Sequence, residues 1–333
     1  MQKRPLLSML FLFGMAVAVF AQDVNTDPIV KALKEELTFS KEQLSKQKYP
    51  AYFMSLRMED AWKTVVSSSV GVSSVDENHS CFIVPQVRIG SKELDNFKYK
   101  LQGTQTQSRD AQGVYVPVEA NALDAYREAI WNETMSRYKI AVSNYEEACS
   151  KMKTDVDNED KSPCFGYAPV EVYYEKPLPE SAHKMDTKKW EKILNKVTST
   201  LKACRDLEWG NANVTYSVIR KYIVNTDGTV VVQNRQAVRL FINAEIIAQD
   251  GTKCPLGENF FAETPEGLPS EAELMATIED IVKRLIAIRD APLADPYAGP
   301  ALLSGTASGV FFHEIFGHRL ETHRMKKGGQ TFQ

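Results

Sequence analysis

The chain is poor in the features that most often announce a function. Its 333 residues hold five cysteines (Cys81, Cys149, Cys164, Cys204 and Cys254), and no two stand in C-x-x-C spacing. That argues against a structural zinc site built from cysteine. Five is odd, so any disulfide pairing leaves at least one thiol over. Lysine and arginine total 40 against 43 acidic residues, for a net charge of −3. Without a basic field, nucleic acid is not an expected partner. There is no internal repeat. Beyond residue 20, no uncharged run approaches the ~20 apolar residues of a membrane-spanning helix.

What is present begins at the N-terminus. Gln2-Lys3-Arg4 is cationic, Leu6 to Phe20 is apolar and uncharged, and Val19-Phe20-Ala21 offers a cleavage site. This pattern predicts a secretory signal peptide over residues 1–21, with Gln22 as the mature start. The alternative, an N-terminal membrane anchor, calls for a longer run. No cysteine follows to carry a lipid. The mature protein is expected to be exported, periplasmic or secreted, with no stable membrane span. Export makes disulfides chemically accessible. Cys149 and Cys204 fall on the apolar stripes of predicted helices, which predicts buried thiols.

Periodicity places the main elements. Asp27-Pro28 reads as an N-cap and first helical residue, and Ile29, Val30, Leu33, Leu37 and Leu44 follow at helical spacing. Alternation predicts strands at 52–58, 64–70 and 81–89, with Pro85 implying an edge or a bulge. Residues 103–120 read as a loop. Leu123, Tyr126, Ile130, Thr134, Tyr138, Val142, Tyr145 and Cys149 step by three or four, predicting a long packed helix. The acidic run 155–160 lacks the glycine and glutamate of a calcium loop and reads as a solvated turn. A helix over 186–204 turns Trp190, Leu194, Val197 and Leu201 inward. Strands follow around Val214–Val218, with turns at Asn225–Thr229 and Asp250-Gly251. Ser270 and Glu273 form a capping box. A Pro/Gly-rich connector, 292–300, leads to a short apolar strand, 301–303. The runs of strands predict an α+β fold with a mixed or largely antiparallel sheet and long helices.

Three of the five histidines cluster near the end, and two frame His313-Glu314-Ile315-Phe316-Gly317-His318. This H-E-x-x-x-H string is one residue longer than the zinc-protease motif H-E-x-x-H. Two imidazoles and a carboxylate are what a zinc hydrolase needs as ligands and general base. On an ideal α-helix, His318 falls roughly 140° from His313, wide for one ion. A π-bulge at this point would bring the pair toward one face, and Gly317 would ease the distortion. Glu314 and Glu321 fall inside the wedge, Glu321 as a group behind the ligands or a spare ligand; His323 points away. The bland alternative is a helix with polar residues on its exposed face. The neighbours Val310, Phe311, Phe312, Ile315 and Phe316 speak against a solvated stretch.

The run Gly299-Pro300-Ala301-Leu302-Leu303, then Gly309-Val310-Phe311-Phe312-His313-Glu314-Ile315-Phe316-Gly317-His318-Arg319-Leu320-Glu321, resembles the signature of the TldD/PmbA family of metallopeptidases. The hairpins at Asp227-Gly228 and Asp250-Gly251, followed by a helix, resemble it too. The resemblance covers about residues 205–325 and extends more loosely to 27–204, with the helix at 121–153 as an elaboration. It implies an N-terminal α+β domain over 22–300 and the start of the motif region at 301–333. It implies a zinc-dependent peptidase acting on unfolded or short peptides admitted to a chamber. His313 and His318 would be zinc ligands and Glu314 the general base, as on the family's catalytic branch. Family members dimerise, with themselves or with a noncatalytic relative. The family's third ligand is a downstream cysteine in a β-rich C-terminal domain. No cysteine follows Cys254, so that domain is expected to be missing and this chain, alone, to be inactive. The competing expectation is a noncatalytic binding or scaffold protein that keeps the fold.

Overall fold

Long alternating stretches build the sheet. The computed structural model describes residues 24–98, 113–118, 123–154, 162–203 and 207–320. The segment 1–21 expected to be a signal peptide, the acidic run 155–160, Cys204, Glu321 and His323 lie outside them. The strands are β1 (Ala51–Ser69), β2 (Val72–Ile89), β3 (Val114–Val116), β4 (Val172–Tyr174), β5 (Leu207–Asn225), β6 (Val230–Ile247) and β7 (Lys253–Ala262). They form one seven-stranded sheet in the order β3-β2-β1-β5-β6-β4, with β7 also pairing with β6. Every pair is antiparallel except β4 with β6. The fold is therefore α+β with a mixed, largely antiparallel sheet, as the sequence predicts.

The strands predicted at 52–58 and 64–70 are one 19-residue strand, β1. Glu59, Asp60 and Lys63 interrupt the apolar alternation, but pairing with β2 and β5 runs unbroken through them. Pro85 stands opposite Leu56, beyond Cys81–Ile83 where β3 pairs, so the ladder loses no hydrogen bond to β3 at that residue.

The helices follow their sequence signals. In α1 (Pro28–Ser45), Asp27 caps the N-terminus by accepting from the amides of Ile29 and Val30 at 2.9 and 3.1 Å. The long helix is α2 (Leu123–Thr154). Asp186 caps α3 (Thr187–Ser199), and the Ser270–Glu273 capping box opens α4 (Glu271–Asp290). Two apolar cores form against these helices. The first joins α1 and α2 to Met54, Leu56 and Met58 of β1 and to Tyr222 and Val224 of β5. The second joins α3 and α4 to Val66 of β1 and to Val214, Tyr216 and Val218 of β5. Residues two apart on a strand share a face, so both cores lie on the same side of the sheet. Because α2 contributes Tyr126, Ile130 and Tyr138, it is an integral part of the first core.

A polar belt separates the cores. A strap of chain, residues 175–186, crosses it from β4 to α3. Arg220 on β5 is buried there. It donates to the Glu175 carbonyl at 3.0 Å, Asn234 Oδ1 at 2.8 Å and the Tyr222 hydroxyl at 2.9 Å, and pairs with Asp27 Oδ2 at 3.4 Å. Asn234 Nδ2 donates to the Lys176 carbonyl at 2.7 Å, and the Tyr216 hydroxyl donates to the Ala182 carbonyl at 2.7 Å.

The β1–β2 turn is Val70-Gly71, with φ of +48° and +85°. A β-branched residue in the left-handed region is strained. Serines dock this turn on α3: Ser68 Oγ lies 2.7 Å from Thr198 Oγ1, and the Gly71 amide donates to Thr198 Oγ1 at 2.9 Å. A Cβ on Gly71 would come within 2.4 Å of Ser199 Oγ. Val70→Asn is expected to raise stability by about 1 kcal/mol, read as a higher urea midpoint at unchanged slope.

Three sequence expectations fail here. The stretch 103–120, read as a loop, holds strand β3, which extends because β2 offers it an edge at Cys81–Ile83. Residues 301–303 form no strand; Leu302 is fully exposed, and among the described residues no strand pairs with the segment. An apolar triplet becomes a strand only with a ladder partner. Cys149 is half-buried rather than buried, because α2 turns Ala141 and Ala148 inward on that stretch. The described cysteines Cys81, Cys149, Cys164 and Cys254 are free thiols. Among the described residues, no helix is long and apolar enough to cross a membrane.

Candidate metal centre

After α4 the chain runs without regular structure through 292–304 and enters α5 (Gly305–Phe312). The Ser308 hydroxyl donates to the Leu303 carbonyl at 2.8 Å. The helix then widens into a π turn over His313–Gly317, closed by the His318 amide donating to the His313 carbonyl at 3.2 Å. This is the i→i+5 bond that the motif's spacing calls for. It nearly closes a turn in five residues, so His318 comes round beneath His313 rather than lying far to one side.

Three side chains converge as a result. His313, Glu314 and His318 each offer a donor atom, all within 4.8 Å of one another. Glu314 lies between the imidazoles, its oxygens 4.0 Å from His313 Nε2 and 3.8 Å from His318 Nε2. The two imidazole centroids are 4.7 Å apart. Zinc–nitrogen bonds of 2.0–2.1 Å at a tetrahedral angle put ligand atoms about 3.3 Å apart. Side-chain rotation in exposed His313 and Glu314 and half-buried His318 spans that difference, so the donor set fits a divalent ion. Gly317 is not demanded by space: a Cβ there would touch only His313 Nδ1 and the Phe312 carbonyl, each at 3.9 Å. Phe312 and Phe316 stack at 5.4 Å along the same turn, and both are exposed.

Of the predicted site residues, His313, Glu314 and His318 come together; Glu321 lies outside the described residues. One cluster escapes sequence reasoning. Asp60, Trp62, His79 and His183 gather on the polar belt, although they span more than 120 positions of the chain. Only the pairing of Trp62 with His79 across β1 and β2 would have hinted at it.

Solved structures give similarities at low identity. The chain is similar to TldE from Thermococcus kodakarensis, with 12% identity, 77% of this chain and 47% of that one covered, and a TM-score of 0.41. It is similar to a protein from Thermotoga maritima described as a candidate modulator of a DNA gyrase, with 13% identity, coverages of 75% and 47%, and a TM-score of 0.40. A third, described in the same terms, comes from Bacteroides thetaiotaomicron, with 9% identity, coverages of 78% and 50%, and a TM-score of 0.48. The likeness is one of fold. The chain spans about half the length of these solved chains. No family model matches it, and no curated protein matches its sequence.

Proposed function

We propose that these residues belong to an exported zinc-dependent peptidase, in which His313 and His318 are metal ligands and Glu314 is the general base. The observation that supports this most is the π turn that gathers the three side chains. Zinc, when bound, polarises a carbonyl and lowers the pKa of water toward 7. His313 and His318 each bring a ring nitrogen within 4.8 Å of the other donors. Glu314, beside both, accepts the proton of the attacking water and returns it to the leaving amine. A third protein ligand completes such a site; Glu321, three residues beyond His318 in the sequence, or another residue outside those described would supply it. The substrate class is unfolded or short peptides, and a dimeric assembly is part of the same reading.

Zinc titration against a chromophoric chelator tests the ligands. His313→Ala and His318→Ala are each expected to weaken zinc binding by at least about 100-fold; unchanged affinity in both would remove them as ligands. The exposure of His313, Glu314 and Phe316 favours a second reading, a noncatalytic metal-binding protein, because among the described residues none covers them from water. Tight zinc without peptide cleavage would select it.

A further inference from the structure

Trp62 is held between two imidazoles. The His79 ring centroid lies 4.2 Å away at 18°, and that of His183 lies 3.9 Å away at 8°. Two near-parallel rings this close to one indole cannot share a face without overlapping, so they take opposite faces. His79 comes from β2. His183 ends the short 3-10 turn Glu180–His183 of the strap. We propose that this stack is a pH-responsive clamp: neutral His183 holds the turn at 180–184 against the sheet, and protonation releases it.

The two imidazoles are not equivalent. His79 Nε2 lies 2.7 Å from Asp60 Oδ1, so a proton on His79 has a carboxylate to answer it. Among the described residues, no carboxylate stands at hydrogen-bond distance from His183. The charged groups facing His183 are Asp60 of β1, His79 of β2 and Glu180 of its own turn. Lys63, Glu77 and Lys184 stand around the same cleft, of about 560 Å³. A charge on His79 sits about 8 Å across the indole from His183, a distance over which like charges in partly buried surroundings still repel.

Burial first, then His79, hold His183 below the ordinary histidine value of 6.5, while Asp60 and Glu180 offset this in part, as does the Trp62 face, which attracts an imidazolium. The sign follows. A histidine depressed in the folded state stabilises its neutral form; that contribution is present above pH 6.5 and is lost as pH falls through the lower folded value. Motion is confined by neighbouring anchors. Upstream, Arg220 and Asn234 hold the carbonyls of Glu175 and Lys176. Downstream, Met185 is buried in the second core. The turn between them is otherwise pinned by the Tyr216 bond to Ala182, which does not titrate in this range.

Hydrogen–deuterium exchange on the full chain tests the clamp, with rates corrected for intrinsic pH dependence. Between about pH 7.5 and pH 5, protection of amides 180–184 is expected to fall on the order of tenfold in the wild type. His183→Phe keeps an aromatic ring on Trp62 and cannot titrate, so it should hold its protection at both pH values. An equal loss in His183→Phe, or no loss in the wild type, overturns the proposal. A second readout needs no variant. The His183 imidazole resonance should titrate below 6.5, together with the change in exchange; titration at or above 6.5 also overturns it.

Discussion

Arg220→Ala is expected to lower global stability by about 3–5 kcal/mol, the range for breaking a buried ion pair from one side. The side chains of Arg220 and Asp27 are only 7% and 6% exposed. Removing the guanidinium strands the Asn234 amide oxygen and the Glu175 carbonyl and takes the cation away from Asp27 Oδ2. The Asp27 carboxylate retains its capping bonds to α1 and the Tyr174 hydroxyl, but its charge is left without a counter-ion. Adding Asp27→Asn should therefore recover part of the loss, because the amide still caps the helix and carries no charge. Chemical denaturation of the single and double variants measures both steps. If the double variant is less stable than Arg220→Ala alone, the uncompensated charge is not the source of the damage.

On the proposed mechanism, Glu314→Gln is expected to lower peptide hydrolysis by about 10²–10⁴-fold, the usual contribution of a general base. The substitution keeps size and shape and removes the proton acceptor. Zinc affinity separates two roles for this carboxylate, since it lies about equally far from both imidazoles. A base leaves affinity near the wild-type value when replaced, whereas a ligand takes much of it away. Retained activity in Glu314→Gln would discard the mechanism whatever the zinc content.

Local chemistry was readable where one short segment carries its own signal. Asp27-Pro28, Asp186, the Ser270–Glu273 box and the glycine turns at Gly228 and Gly251 sit where the sequence puts them. The π turn was readable for a related reason: a five-residue histidine spacing on a helix demands a wider turn. Signals failed where a distant partner decides the outcome. Charged residues in the middle of β1 hid its continuity, because β2 and β5 on either side keep it extended. Leu302 lacks any such partner, and an apolar triplet stays unpaired. The Asp60–Trp62–His79–His183 group has no local pattern at all, since the strap brings His183 to it from outside the sheet.

The pair of cores on one face has a consequence for how the molecule comes apart. At 19 residues each, β1 and β5 are about 60 Å long and serve both cores. Cooperative units usually meet at a loop, where one can open without disturbing the other. In this sheet the boundary falls in mid-strand, at the Asp60–Arg220 level, where the backbone ladder is continuous and the side-chain packing changes from apolar to polar. Opening at one end is thus transmitted along the shared strands as a shift in pleat and twist. The two halves share the strands that either would have to release, and the buried Arg220 network joins them at the level where the packing changes.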